Sequence, residues 1–137
     1  MKALTIQQPY AMLIALGDKR VENRSWQTSY RGPLAIHAGM RVDTEFTKEI
    51  AEECQREGWY WPDPLPRGGI IAVAQLYDIV ADAESIADPD DREWFGGPLG
   101  WLLADAQLVE FVPMRGRLGL WDVDDALIKP IPFPDGE

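Results

Sequence analysis

Residues 17–24, Gly-Asp-Lys-Arg-Val-Glu-Asn-Arg, constrain this chain more than any other stretch. They follow an amphipathic run that stops at a glycine, and they order lysine, glutamate and arginine as G-x-K-x-x-E-x-R. If the segment is extended, Glu22 and Arg24 share one face, because strand side chains alternate with period two. Lys19 then sits at the turn leading in. Charges of both signs gathered beside a tight turn are what a small polar pocket needs. A solvated charge run has no use for this order.

The rest of the pattern fixes the class of fold. Residues 2–8 alternate and read as a strand. Pro9 suits a helix start, residues 11–16 form the apolar body of that helix, and Gly17 stops it. Residues 21–26 read as extended, and residues 34–38 as a short apolar strand closed by Gly39. Residues 43–58 give the clearest helix: Asp43 or Thr44 caps it, Phe46, Ile50 and Cys54 make a stripe, and Gly58 ends it. Residues 68–80, 100–111 and 118–123 read as strands, residues 82–93 as a polar loop with a short helix, and residues 124–128 as a helical turn. Five or six strands and two or more helices, without regular β-α-β alternation, predict an α+β fold, a small β-barrel with flanking helices. The 137 residues, 46% hydrophobic, suffice for one domain with one core, ending in an irregular proline-rich tail from about residue 129.

Composition excludes several classes. The apolar run at residues 11–16 is far short of the roughly 20 residues that span a bilayer. No basic stretch leads into an apolar one with a cleavage site. The single cysteine, Cys54, can form no internal disulfide. These features point to a cytoplasmic protein with no membrane partner. One histidine and one cysteine in unrelated contexts make no metal site, no serine–histidine–aspartate set is anchored by that histidine, and no glycine-rich phosphate loop is present, so no cofactor is expected.

The net charge of −10 argues against nucleic acid until it is read by segment. Residues 1–41 carry six basic side chains against two acids, and residues 111–121 carry Arg115 and Arg117 with none. Residues 82–110 carry eight acids against Arg92. If the two basic segments meet in space, an acidic protein still presents a positive cleft. The plainer reading is scattered surface arginines.

Three groups of residues carry a resemblance. Leu4-Thr5-Ile6-Gln7-Gln8-Pro9-Tyr10-Ala11 leads into the Gly17, Lys19, Glu22, Arg24, Trp26 motif, followed by Tyr30-Arg31-Gly32-Pro33-Leu34-Ala35-Ile36-His37-Ala38. Residues 68–74, 97–101 and 115–121 extend it over roughly residues 2–122. Together they resemble the ASCH domain family, a branch of the PUA-like superfamily. The resemblance implies a PUA-type pseudo-barrel with a cleft beside the first helix and the charged motif. It implies binding of RNA or of a nucleotide or modified nucleoside. Some relatives resemble amidohydrolases of acylated cytidine, and others are associated with RNA cleavage.

On that basis Lys19 and Glu22 are the candidate catalytic pair of a hydrolase. Lys19 would serve as nucleophile or oxyanion stabiliser and Glu22 as proton carrier. Lys19, Arg24, Trp26, Tyr30, Arg31, Arg115 and Arg117 are the candidate contacts to nucleic acid, in one cleft shared by the charged motif and at least one of the two later arginines. Each has a bland counterpart. A lysine after a glycine turn is ordinarily a surface residue, and Arg24 can simply pair with Glu22. Of six tryptophans most belong in a core; Trp26 and Tyr30 are expected in the cleft, while Trp59 and Trp61 could form a lid. His37 reads as a structural histidine and Cys54 as an inert buried thiol. A third class remains open, a protein-interaction domain using the acidic face.

Overall fold

The computed structural model describes residues 1–134. The elements in order are β1 (Lys2–Gln8), α1 (Tyr10–Ala15), β2 (Val21–Arg24), β3 (Gly32–Val42), α2 (Thr44–Glu57), β4 (Gly69–Val80), α3 (Pro89–Arg92), β5 (Leu99–Pro113) and β6 (Trp121–Asp122). Single 3-10 turns lie at Ala83–Ser85 and Asp125–Leu127. The strands form one mixed sheet in the order β2-β5-β4-β3-β1-β6; β1 and β3 run parallel and the other pairs antiparallel. The class is α+β, as expected.

Hydrogen bonding does not close this sheet into a barrel, since β2 and β6 are its edges. The sheet bends sharply instead. β5 is offset against β4 at three places, and at one of them Asp105 adopts φ 54. Such bulges kink a strand and raise its twist. The curled sheet holds α1 against β1, β3, β4 and β5. Leu4, Ile6, Leu34, Ile36, Leu76 and Trp101 bury their side chains around it. Ala3, Ala35, Ile70, Val109 and Val123 make a smaller core on the opposite face.

Local chemistry sets most boundaries. The Asp43 carboxylate accepts the Phe46 N–H at 3.0 Å and starts α2, and Gly58 ends it at φ 75, where a side chain would be strained. Pro9 stands at the cap of α1, one residue before its start. Two expectations need correction. β3 runs through Gly39 to Val42, because β1 continues to pair with it as far as Gln8. The last strand is only Trp121–Asp122, because Lys2 and Ala3 are its sole partners on β1. The proline-rich tail is tied down over residues 129–131, where Lys129 O accepts from Glu110 N and Ile131 N donates to Leu108 O.

Replacing Asp43 by alanine is expected to lower stability by about 1 kcal/mol, while asparagine, an equally good cap, keeps most of it. Urea unfolding followed by far-ultraviolet circular dichroism measures both.

Candidate functional site

The charged motif folds into a buried chain of ion pairs. Lys19 is 3% exposed and Glu22 8%. Gly17, at φ 89, turns the chain out of α1 and lets Lys19 fold back over its own helix end. The Lys19 ammonium donates to the Val21 carbonyl and, at 2.9 Å, to Glu22 Oε1. Arg24 Nε donates to Glu22 Oε2 at 3.1 Å, and Arg24 Nη2 donates to the Thr5 carbonyl at 2.8 Å. That last bond joins edge strand β2 to β1 across the gap that the sheet leaves open.

Neighbouring residues complete the cluster. The Lys19 ammonium lies 5.9 Å from the centre of the Tyr10 ring and 5.7 Å from that of Trp94, within reach of cation–π attraction. Burial raises the Tyr10 hydroxyl above its ordinary range, and the carboxylates of Asp43 and Glu22 add to the effect. Trp94 is delivered by the acidic segment. Arg20 pairs with Asp91 at 2.9 Å and Asp88 at 3.1 Å, and Asn23 bonds the Trp94 carbonyl and the Gly96 N–H. Trp94 Nε1 donates to the Asp18 carbonyl at 3.2 Å.

Trp94 also lines a cavity of about 530 Å³ between α1 and α2, together with Leu13, Phe46, Cys54, Trp59 and Trp61. Trp59 is 57% exposed at its mouth. Asp18 and Glu53 are the charged residues of its lining. Burial pushes the Cys54 thiol up, and the charges of Asp18 and Glu53 push it further.

A second cavity, of about 540 Å³, opens elsewhere and is lined by Thr5, His37, Met40, Arg115, Gly116 and Arg117 among others. Neither Lys19 nor Glu22 lines it. The single common cleft therefore resolves into two regions. Arg24 lines neither cavity, and it links to the second only through the backbone of Thr5. Trp26 is half-buried, edge-on to Trp101 at 4.8 Å, and packs on the main core, as does Tyr30, whose hydroxyl donates to the Pro33 carbonyl. Arg31 is exposed and donates to the carbonyls of Thr28 and Tyr30. Neither Trp26 nor Tyr30 lines either cavity.

Sequence reasoning did not single out Tyr10 and Trp94. For Trp94 a signal existed: Asp88 and Asp91, spaced on one helical turn, match Arg20 beside Lys19. Among the described residues no group of histidine, cysteine and carboxylate side chains could hold a metal ion. No helix there is long and apolar enough to cross a membrane.

Comparison with known proteins now adds the family. The model of the ASCH domain matches residues 4–108. The chain belongs to the ASCH domain family. It is 26% identical over 132 residues to human activating signal cointegrator 1, and 27% identical over 130 residues to the mouse protein. Each match covers 90% of this chain and 22% of the relative, so the chain spans about a fifth of their length. The crystal structure of ASCH from Zymomonas mobilis superposes with a TM-score of 0.52 at 16% identity, covering 91% of this chain and 88% of that one. A serine-to-alanine mutant of that bacterial protein gives 0.53 at 16% identity, covering 90% and 88%. At that identity the likeness speaks for the fold alone.

Burial of Lys19 and Glu22 makes their pair a structural element as well as a candidate site. Removing one partner of a buried pair strands the other charge away from water and costs about 3–5 kcal/mol. Lys19→Ala is expected to destabilise by that order in denaturant unfolding, whereas exposed Arg31→Ala stays within about 0.5 kcal/mol. Cys54 is expected to react with iodoacetamide more slowly than a free thiol at pH 8. Its rate should go on rising at pH values where a free cysteine has levelled off, since only the thiolate attacks. Mass spectrometry of the alkylated protein reads the rate.

Proposed function

We propose that this ASCH domain binds RNA or a nucleotide by taking a base into the aromatic cavity between α1 and α2, beside Lys19 and Glu22. The observation that carries the reading is the place of Trp94, whose ring both lines the cavity and lies 5.7 Å from the Lys19 ammonium. A cavity of about 530 Å³ is within the range of small-molecule sites, roughly 300–1,000 Å³. Its walls supply stacking faces, each worth about 1–3 kcal/mol to a base. Asp18 and Glu53 are acceptors suited to the exocyclic amines of a base and unsuited to a phosphate. Lys19 and Glu22 do not line the cavity; the Lys19 ammonium faces it from across the Trp94 ring.

The same pair supports hydrolysis of an acylated nucleoside as the finer form of this reading. Two of the three N–H donors of Lys19 are already committed, to Val21 and Glu22. An ammonium so held is better placed to stabilise an oxyanion than to attack a carbonyl, which requires the free amine. Glu22 has an oxygen on each cation and could carry the proton.

The test is a titration of free and acylated nucleosides and of short single-stranded RNA, with turnover followed by chromatography. Trp94→Ala and Trp59→Ala are expected to weaken nucleoside binding by about 1–3 kcal/mol each. Unchanged affinity in both variants would sink the base cavity. If an acylated nucleoside is turned over, Glu22→Gln should slow the reaction by about 10²–10⁴-fold. Lys19→Arg should keep part of the rate if the residue acts as a cation and none if it is the nucleophile.

A further inference from the structure

We infer that residues 114–118, with Thr5 and His37, form a phosphate-group site separate from the base cavity. The inference deepens the base-binding reading and rests on it for the identity of the ligand, but not for the site itself.

The cavity of about 540 Å³ is built on a buried polar floor. His37 is 2% exposed. Its Nε2 lies 2.7 Å from the Met114 carbonyl, which can only accept, so Nε2 carries the proton. Its Nδ1 lies 3.2 Å from the Thr5 hydroxyl. Trp121 meets the ring edge-on at 5.6 Å. The chain after Met114 is pressed onto this floor at Gly116. A Cβ there would come within 2.6 Å of Thr5 Oγ1 and 3.0 Å of His37 Cε1. Only glycine lets the backbone lie so close.

What the segment offers is a concentration of unused donors. Arg115 and Arg117 line the cavity and, among the described residues, make no ion pair and no hydrogen bond. The backbone N–H groups of Arg115, Gly116, Arg117 and Leu118 likewise make no hydrogen bond to another described residue. No carboxylate lines the cavity, on a chain whose net charge is −10. Successive free N–H groups beside guanidinium forks are the donor set that anions, and phosphate above all, are held by. The acidic lining of the base cavity repels the same group. The two linings suit different chemical groups, the aromatic one a base and the arginine one a phosphate.

The phosphate could belong to a strand's backbone or to a free monophosphate, and the test separates them. Inorganic phosphate, a nucleoside monophosphate, a short single-stranded RNA and the free nucleoside are titrated into wild type, Arg115→Ala/Arg117→Ala and Gly116→Ala, with amide resonances and affinity at several salt concentrations as readouts. Phosphate should move the amides of residues 115–118 in the wild type. The double variant should lose about tenfold or more in affinity for the strand. Its dependence of log affinity on log salt should flatten by about 1.4, two contacts at about 0.7 each for a single strand. Gly116→Ala keeps both arginines but lifts the segment from Thr5 and His37, and it should lose affinity as well; a merely diffuse positive charge would leave it unchanged. A loss confined to the monophosphate supports the site and assigns it to a terminal phosphate. Nucleoside binding should be untouched throughout. If strand, monophosphate and inorganic phosphate bind both variants as they bind wild type, the site is overturned, whatever Trp94→Ala does. If instead the arginine variants fail and neither Trp94→Ala nor Trp59→Ala does, the phosphate site stands and the base cavity falls.

Discussion

The chain from buried Lys19 through buried Glu22 to half-buried Arg24 is the interaction on which the rest of this domain depends. Charges withdrawn from water are tolerated only when paired and hydrogen-bonded. Here each Glu22 oxygen meets a cation, and one further donor of each cation ends on a carbonyl, that of Val21 or Thr5. The Thr5 link matters most. The sheet is not closed by backbone pairing, and Arg24 supplies a side-chain tie between β2 and β1 where a strand pair is missing. A residue chosen for nucleic-acid contact on its charge is thus also a fastening of the curled sheet. Structural and functional readings of the motif are not rivals, because the network that ties the curled sheet also fixes the ammonium beside Tyr10 and Trp94.

Charge segregation gives so acidic a chain a locally basic lining at one cavity. Part of the acidity is engaged in contacts within the molecule. Asp88 and Asp91 fasten α3 to Arg20, and Asp82, Asp88 and Asp124 accept backbone N–H groups at short helices. What remains is unevenly spread: carboxylates edge the aromatic cavity, and arginines edge the cavity over His37. Net charge describes solubility and long-range steering; the local lining decides which chemical group is admitted.

The two helices contribute differently. α1 is packed into the curl of the sheet and buries five of its six residues. α2 turns only Cys54 fully inward. Its half-buried Phe46 contacts Tyr10 at 5.5 Å, and the space between the helices is the aromatic cavity. A helix that is capped well but packed lightly leaves room for a ligand, at the expense of core that a tighter contact would have made.

The sequence by itself determined the class of fold, the capped helix from Asp43 to Gly58, the strands up to a few residues, and the charged motif as one polar unit. All of these rest on local rules, such as capping, glycine turns and alternation, which act over a few neighbours. Only the tertiary structure decided which way those charges face. Burial of Lys19 and Glu22 follows from the curl of a sheet whose bulges in β5 have no local signature. The tertiary structure also moved Trp26 and Tyr30 onto the core and brought Trp94 to the motif from more than 70 positions along the chain. Separation of Arg115 and Arg117 from Lys19 was decided in the same way. A one-dimensional pattern records which residues can make a site. Which of them share a cavity depends on strand order and bending, which are properties of the whole chain.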